Sequence, residues 1–193
     1  YQPSRGLGDV YKRQVDSCYL SSSLAVDLAK KYDADLHVFH LTTEKEMELF
    51  TSGMIDGKKI TAEVCVHHML LNDSYYPELG NQIKCNPSIK TENDRQALIK
   101  SLKEDKIDII ATDHAPHTWD EKMQDYKDAP AGLPLVQHGL QILMDFYHKD
   151  ILSLETIVEK TSHNVAKRFQ VKDRGYIREA VSYTHLRAHE TVG

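Results

Sequence analysis

The chain is 193 residues long, 40% hydrophobic and 27% charged, with a formal net charge of −5. That length allows one domain with a real core, and the composition is that of an ordinary water-soluble globular protein. The acidic balance without a Lys/Arg stripe excludes a nucleic-acid footprint, no apolar run is long enough to span a bilayer, and nothing at the start reads as a signal peptide.

The two ends read differently from the middle. The chain begins YQPSRGLGDVYKRQ and ends VSYTHLRAHETVG, and neither stretch has helix or strand periodicity. DNA encoding Arg5 to Gln14 has a reverse complement that, in a shifted frame, encodes Val181 to His189. One inverted element similar to a sequencing adaptor can therefore supply both ends. The expectation is that residues 1–14 and 181–193 are non-native, and that residues 15–180 are a partial domain cut from a longer protein. His185 and His189 then carry no functional weight.

Within the middle, SSSLAVDLAKKYDA (residues 21–34) predicts a helix opened by serine caps, with Leu24 and Leu28 on its apolar face. LHVFHL (residues 36–41) predicts a strand, with Leu36, Val38 and His40 on one face and His37 and Phe39 on the other. Thr43-Glu44-Lys45-Glu46 has the capping-box pattern and opens a short helix. ITAEVCV (residues 60–66) is the second strand. The long segment 67–90, with Pro77, Gly80 and Pro87, reads as a functional loop. TENDRQALIKSLKED predicts an amphipathic helix from Thr91, with acidic residues in its first turn. Residues 107–111 form the third strand, and two helices follow over 133–147 and 152–169. Alternation of this kind implies an α/β fold with βα units on a parallel sheet. With no GxGxxG and no P-loop, a nucleotide-binding sheet has no support. Cys18, Cys65 and Cys85 lack CxxC spacing and indicate free thiols in a reducing, cytoplasmic setting.

A parallel-sheet enzyme places its chemistry at the C-terminal ends of its strands. His40 ends LHVFHL. Asp113 ends IDIIATDHAPHT, followed by His114 and His117 with Pro116 between them, and a carboxylate beside imidazoles suits metal binding or proton transfer. His67 and His68 read as loop residues, because neighbours in an extended chain do not easily chelate one ion. His37 reads as structural. Glu63 needs a partner if buried, from a loop or near the site. Asn86 offers an amide suited to a ureide edge or a turn. PAGLP (residues 130–134) is a turn able to present backbone N–H groups.

The ordered set LHVFHLTT, ITAEVCVHH, CNPSIKTENDR, ATDHAPH and PAGLP resembles dihydroorotase of the bacterial long-chain type, in the amidohydrolase superfamily. The resemblance implies the C-terminal part of a metal-dependent (β/α)8 TIM barrel, incomplete here. It implies two zinc ions in the complete protein and the reversible hydrolysis of dihydroorotate to N-carbamoyl-L-aspartate in pyrimidine biosynthesis. Carried onto this chain, it makes His40 and Asp113 metal ligands and Asp113 the proton shuttle. Asn86, His117, Ala131 and Gly132 become substrate contacts. The implied partner is a small molecule, in a cytoplasmic protein that is a candidate homo-oligomer.

The departures are specific. Lys90 stands where many relatives have an arginine, which changes any carboxylate clamp. The HxH pair of the first strand, the bridging lysine or aspartate and the histidine on the next strand are expected to be absent. That leaves two ligands, too few for a closed zinc site, and an inactive fragment. Alternatives are another cyclic-amide hydrolase (dihydropyrimidinase, hydantoinase or allantoinase) or a non-catalytic dihydroorotase-like subunit.

Overall fold

The run ITAEVC forms the central strand of a three-stranded parallel sheet. The computed structural model describes residues 7–178. Strand β1 (Leu36–Val38) pairs with β2 (Ile60–Cys65), placing Leu36 opposite Ile60 and Val38 opposite Ala62. Strand β3 (Ile109–Ala111) pairs on the other side of β2, with Glu63 opposite Ile109 and Cys65 opposite Ala111. The order β1-β2-β3 follows the sequence. Parallel neighbours need crossovers: the first contains only the 3-10 turn Lys45–Leu49, and the second contains helices between Val66 and Lys103.

The helices are α1 (Leu7–Tyr32), α2 (Val66–Leu70), α3 (Tyr76–Leu79), α4 (Glu92–Lys103), α5 (Trp119–Lys122), α6 (Gly139–His148), α7 (Leu154–Val158) and α8 (Asn164–Arg168), with a π turn at Glu159–His163. Helix α4 starts where its sequence says: Thr91 and Asp94 form a reciprocal capping box. The box at Thr43 also forms, with the Glu46 carboxylate accepting from the Thr43 N–H at 3.2 Å and Thr43 Oγ1 accepting from the Glu46 N–H at 3.3 Å. The helix it opens is a short 3-10 turn, Lys45–Leu49.

Helix α1 departs from expectation. It runs through Ser21, Ser22 and Ser23 instead of starting there. Their hydroxyls find partners without ending the helix: Ser22 Oγ donates to Glu46 at 2.6 Å and Ser23 Oγ to the Leu20 carbonyl at 3.2 Å. The buried face is Ser22, Val26 and Ala29, whose small side chains allow a close approach; Leu24 and Leu28 point outward. Residues 7–14 open this helix, and Gln14 accepts a hydrogen bond from Ser88 Oγ at 2.5 Å. Residues 1–6 and 181–193 of the two expected foreign ends lie outside the described residues.

Two further boundaries shift. The helix expected from residue 133 begins only at Gly139, because Leu133 is held by a parallel bridge to His114. The long segment 67–90 is a chain of short helical turns. The core lies between the sheet and the helices: Ala62, Val64 and Ile110 meet Val26, Leu98, Leu102, Leu143 and Phe146. On the opposite parity of β2, Thr61 and Glu63 meet His37, and Glu63 also lines a cavity of about 550 Å³ with Ile109, Ala111 and Phe169. Among the described residues, no helix is long and apolar enough to cross a membrane.

Candidate metal centre

All three strands run parallel, so their C-terminal ends deliver side chains to one rim. His40 follows β1, His67 follows β2 and Asp113 follows β3. His40 and Asp113 sit in the left-handed backbone region, with φ of 42° and 46°. Most other non-glycine residues with positive φ, such as Asp33, Asp105 and Asp150, follow helices, where this conformation is a common C-terminal cap. At a strand end it instead breaks the alternation and turns the side chain out of the sheet. Leu36 and Val38, before this break, pack on the core. Backbone of this kind is uncommon for non-glycine residues and concentrates at functional sites.

His67 was read from the sequence as a loop residue, but the fold buries it. It is 1% exposed, and neither ring nitrogen has a hydrogen-bond partner. A buried imidazole without partners forfeits about 1–3 kcal/mol of desolvation, so such groups are rare unless a ligand satisfies them. Burial, reinforced by His40, pulls its pKa down to about 4, which keeps the ring neutral and its lone pair available. A neutral imidazole is the form that binds a metal. A metal ion would satisfy such a ring; among the described residues, the donor atoms that lie within 4.8 Å of one another are those of Cys65, His67 and His68, and His40 and Asp113 are not among them. The available signal was positional: His67 stands immediately beyond an apolar strand run, as His40 and Asp113 do. Adjacency to His68 hid it, because the chain does not stay extended there but enters helix α2.

Around this rim the other expected residues take distinct places. His117 Nε2 lies 3.2 Å from the Ala131 carbonyl, and His117 and Gly132 line a small cavity of about 210 Å³. Gly132 is required there: at φ 145°, a Cβ would lie 2.5 Å from the Ala115 carbonyl oxygen. The turn does not offer every N–H to a ligand, however, since that of Gly132 donates to the Lys84 carbonyl at 2.9 Å. Lys122 locks the turn from below; its buried ammonium donates to the carbonyls of Lys84, Pro130 and Gly132 at 2.9–3.1 Å. His114 accepts from the Val136 N–H at 3.1 Å and so ties the strand end to the approach to α6. Asn86 is exposed and lies outside the His117 cavity. Lys90 turns inward, donating to the Ser88 carbonyl at 2.8 Å and its hydroxyl at 3.0 Å, so it is no surface clamp for a carboxylate.

The structure also settles Glu63 and His37. Glu63 pairs with neither loop nor rim but with His37 on the neighbouring strand, Nε2 to Oε2 at 3.1 Å, while His37 Nδ1 meets Thr61 Oγ1 at 2.8 Å. The imidazole is further held edge-on by Phe39 and Phe169. With both nitrogens engaged, His37 is structural, as expected.

No family profile matches the chain. A dihydroorotase of Carboxydothermus hydrogenoformans is 35% identical over 162 residues, covering 83% of this chain but 37% of its own length. The chain thus spans about a third of that relative. In fold it matches an L-hydantoinase (dihydropyrimidinase) from Arthrobacter aurescens with a TM-score of 0.72 at 23% identity, over 81% of this chain and 36% of that one. A dihydroorotase from Saccharomyces cerevisiae matches with a TM-score of 0.70 at 19% identity, over 79% and 43%. Both are barrel hydrolases whose parallel strands the sheet described above reproduces in part. With dihydroorotase relatives at this identity along most of its length, the chain belongs to the dihydroorotase family.

Proposed function

We propose that the chain is the part of a metal-dependent dihydroorotase that carries three strand-end metal donors and the proton-transfer carboxylate. The supporting observation is His67: a buried imidazole with both nitrogens unpartnered, flanked in the sheet order by strands that end in His40 and Asp113. Zinc in such a place supplies Lewis acidity and makes water nucleophilic near neutral pH. In hydrolysis of the cyclic amide, water adds its oxygen to the ring carbonyl carbon, and the carbon–nitrogen bond opens. Asp113, exposed at its strand end, takes the proton from the attacking water and returns it to the leaving nitrogen in this reading. Asn86, His117 and the Ala131-Gly132 turn contact the substrate, with the Lys122 ammonium fixing the turn.

The protein that completes the barrel is read as cytoplasmic, acting on dihydroorotate and N-carbamoyl-L-aspartate and requiring two zinc ions. This chain alone is expected to lack turnover, because the other strands' ligands are not in it. Its three donors nevertheless meet the usual protein-ligand count of a catalytic zinc, so it is expected to bind metal. A second reading, hydrolysis of hydantoins or dihydropyrimidines, draws on the hydantoinase likeness in fold.

The test joins this chain to the upstream strands of the Carboxydothermus relative and assays three substrates. Hydrolysis of dihydroorotate with little action on hydantoin or dihydrouracil is expected. The reverse preference would transfer the proposal to the hydantoinase reading.

A further inference from the structure

Lys84 and Lys122 grip each other's loops in a reciprocal way. An ammonium has three N–H donors, and Lys122 spends all three on backbone carbonyls: Gly132 at 2.9 Å, Lys84 at 3.0 Å and Pro130 at 3.1 Å. Lys122 is buried, and among the described residues no carboxylate pairs with it. A buried charge is costly unless its hydrogen bonds are met, and a methionine would fill similar space without that cost. Packing alone therefore does not call for an ammonium here. The Lys84 carbonyl takes a second hydrogen bond, from the Gly132 N–H at 2.9 Å. The Lys84 ammonium reaches the other way, to the carbonyls of Tyr126 and Ala129, and lies over the Tyr126 ring, 4.4 Å from its centre. Asn81 adds a bond to the Gln124 carbonyl at 2.7 Å. Residues 81–84 and residues 124–132 are thus tied together from both sides.

The ties also orient the peptides they hold. In a planar trans peptide, a C=O and the N–H that follows it point in opposite directions. With the Pro130 carbonyl turned to Lys122, the Ala131 N–H points away from it, and among the described residues no acceptor takes that N–H. The Ala131 carbonyl is left to His117, 3.2 Å away. Asn86 stands two residues beyond Lys84.

We propose that Lys122 and Lys84 are positioning residues for the substrate: together they fix the Ala131-Gly132 turn against the segment that leads to Asn86, and so set the spacing of the two polar walls that hold the cyclic amide. This rests on the reading of Asn86 and that turn as substrate contacts. Neither lysine is a catalytic residue, since Lys122 has no donor left for a ligand and Lys84 gives its ammonium to Tyr126 and Ala129. A shift of about 1 Å in a group that orients substrate can cost about 100-fold. Asp113 is carried by β3 and the strand-end histidines by β1 and β2, so the loss falls on binding and spares the bond-breaking step.

The experiment uses the completed barrel, this chain joined to the upstream strands of the Carboxydothermus relative, carrying Lys122→Met or Lys84→Met. KM and kcat for dihydroorotate are measured beside melting temperature and zinc content. The expected result is a KM raised about 10-fold or more by Lys122→Met and about 3-fold or more by Lys84→Met, with kcat within about 3-fold of the parent and zinc content unchanged. A lysine that only stabilises the fold would lower the melting temperature and the active fraction, so that kcat fell while KM stayed where it was; that result would overturn the proposal. If Lys122→Met does not fold, Lys84→Met decides, because its side chain is only half-buried; an unchanged KM there overturns the proposal. A completed barrel that prefers hydantoin overturns the dihydroorotase reading alone, and the same division between KM and kcat, measured on hydantoin, then decides the role of the lysines. A barrel that hydrolyses neither substrate removes both readings.

Discussion

The two ends of the sheet treat most of their buried polar groups differently, although the Asn164 amide oxygen, at the N-terminal end, is also without a partner. At the N-terminal end, Asp108 is almost wholly buried and fully engaged: it accepts from Lys58 Nζ at 2.8 Å and from the Ala62 N–H at 3.0 Å, and its own carbonyl takes the Asn164 amide at 2.8 Å. Nearby, the buried Lys160 ammonium meets Asp105 at 2.6 Å. At the C-terminal end, His67 has no partner, His68 Nδ1 has none, and His40 and Asp113 leave their strands through left-handed backbone. Satisfied polar groups hold a fold together; unsatisfied ones, kept in place by the same fold, are available to a ligand. The contrast separates the groups that stabilise this molecule from those proposed to bind its ligand.

The sharpest test of that separation is Asp113→Asn in the completed barrel. An amide cannot accept the proton and binds metal poorly, so turnover of dihydroorotate should fall about 10²-fold or more, the scale of removing a general base. The melting temperature should barely change. Activity within a few-fold of the parent would dissolve the distinction between the ends.

The mirror experiment is Asp108→Ala. It leaves the Lys58 ammonium and the Ala62 N–H without their carboxylate, and breaking a buried pair in this way costs about 3–5 kcal/mol. Urea unfolding should reveal that loss. A stability unchanged by the substitution would show that the N-terminal end is not the structural one.

His67→Ala tests the rim without relying on turnover. Zinc retained after dialysis, measured by elemental analysis, should drop at least 10-fold relative to the unmutated chain, as expected where even supporting residues of metal sites matter by about 10–100-fold. Unchanged zinc content would make the orphaned imidazole a packing feature.

The smallest effect belongs to Glu92, which lies at neither end. Its hydrogen bonds from Arg95, then Gln96 and Asn72, hold its carboxyl down at about 2. A carboxylate with a depressed folded pKa contributes stability above its unfolded value near 4.5, and that contribution disappears as the pH falls toward 2. The group is well exposed, so the total should stay below about 1 kcal/mol and shrink in salt. Glu92→Gln should flatten that part of the stability profile between pH 5 and 2 without touching metal content. A larger, salt-independent loss would mean that Glu92 supports more than the start of α4.

Much of this was legible from residues. Alternating apolar strands and amphipathic helices implied the parallel sheet, and local capping chemistry marked the Thr91 and Thr43 turns. His40 and Asp113 were visible because each ends an apolar run. What sequence could not resolve depended on surroundings. Leu24 and Leu28 looked like a packing face, but which face of α1 is buried depends on how closely it approaches the 3-10 turn at Lys45–Leu49. Glu63 looked like a charge in search of a loop, and the strand register gave it His37 instead. His67 looked like half of a surface pair until the fold buried it and left its nitrogens empty. Periodicity and caps are properties of neighbours in sequence, so the chain itself determines them. Whether a buried donor or acceptor finds a partner is decided by residues far away along the chain, and only the tertiary structure brings those together.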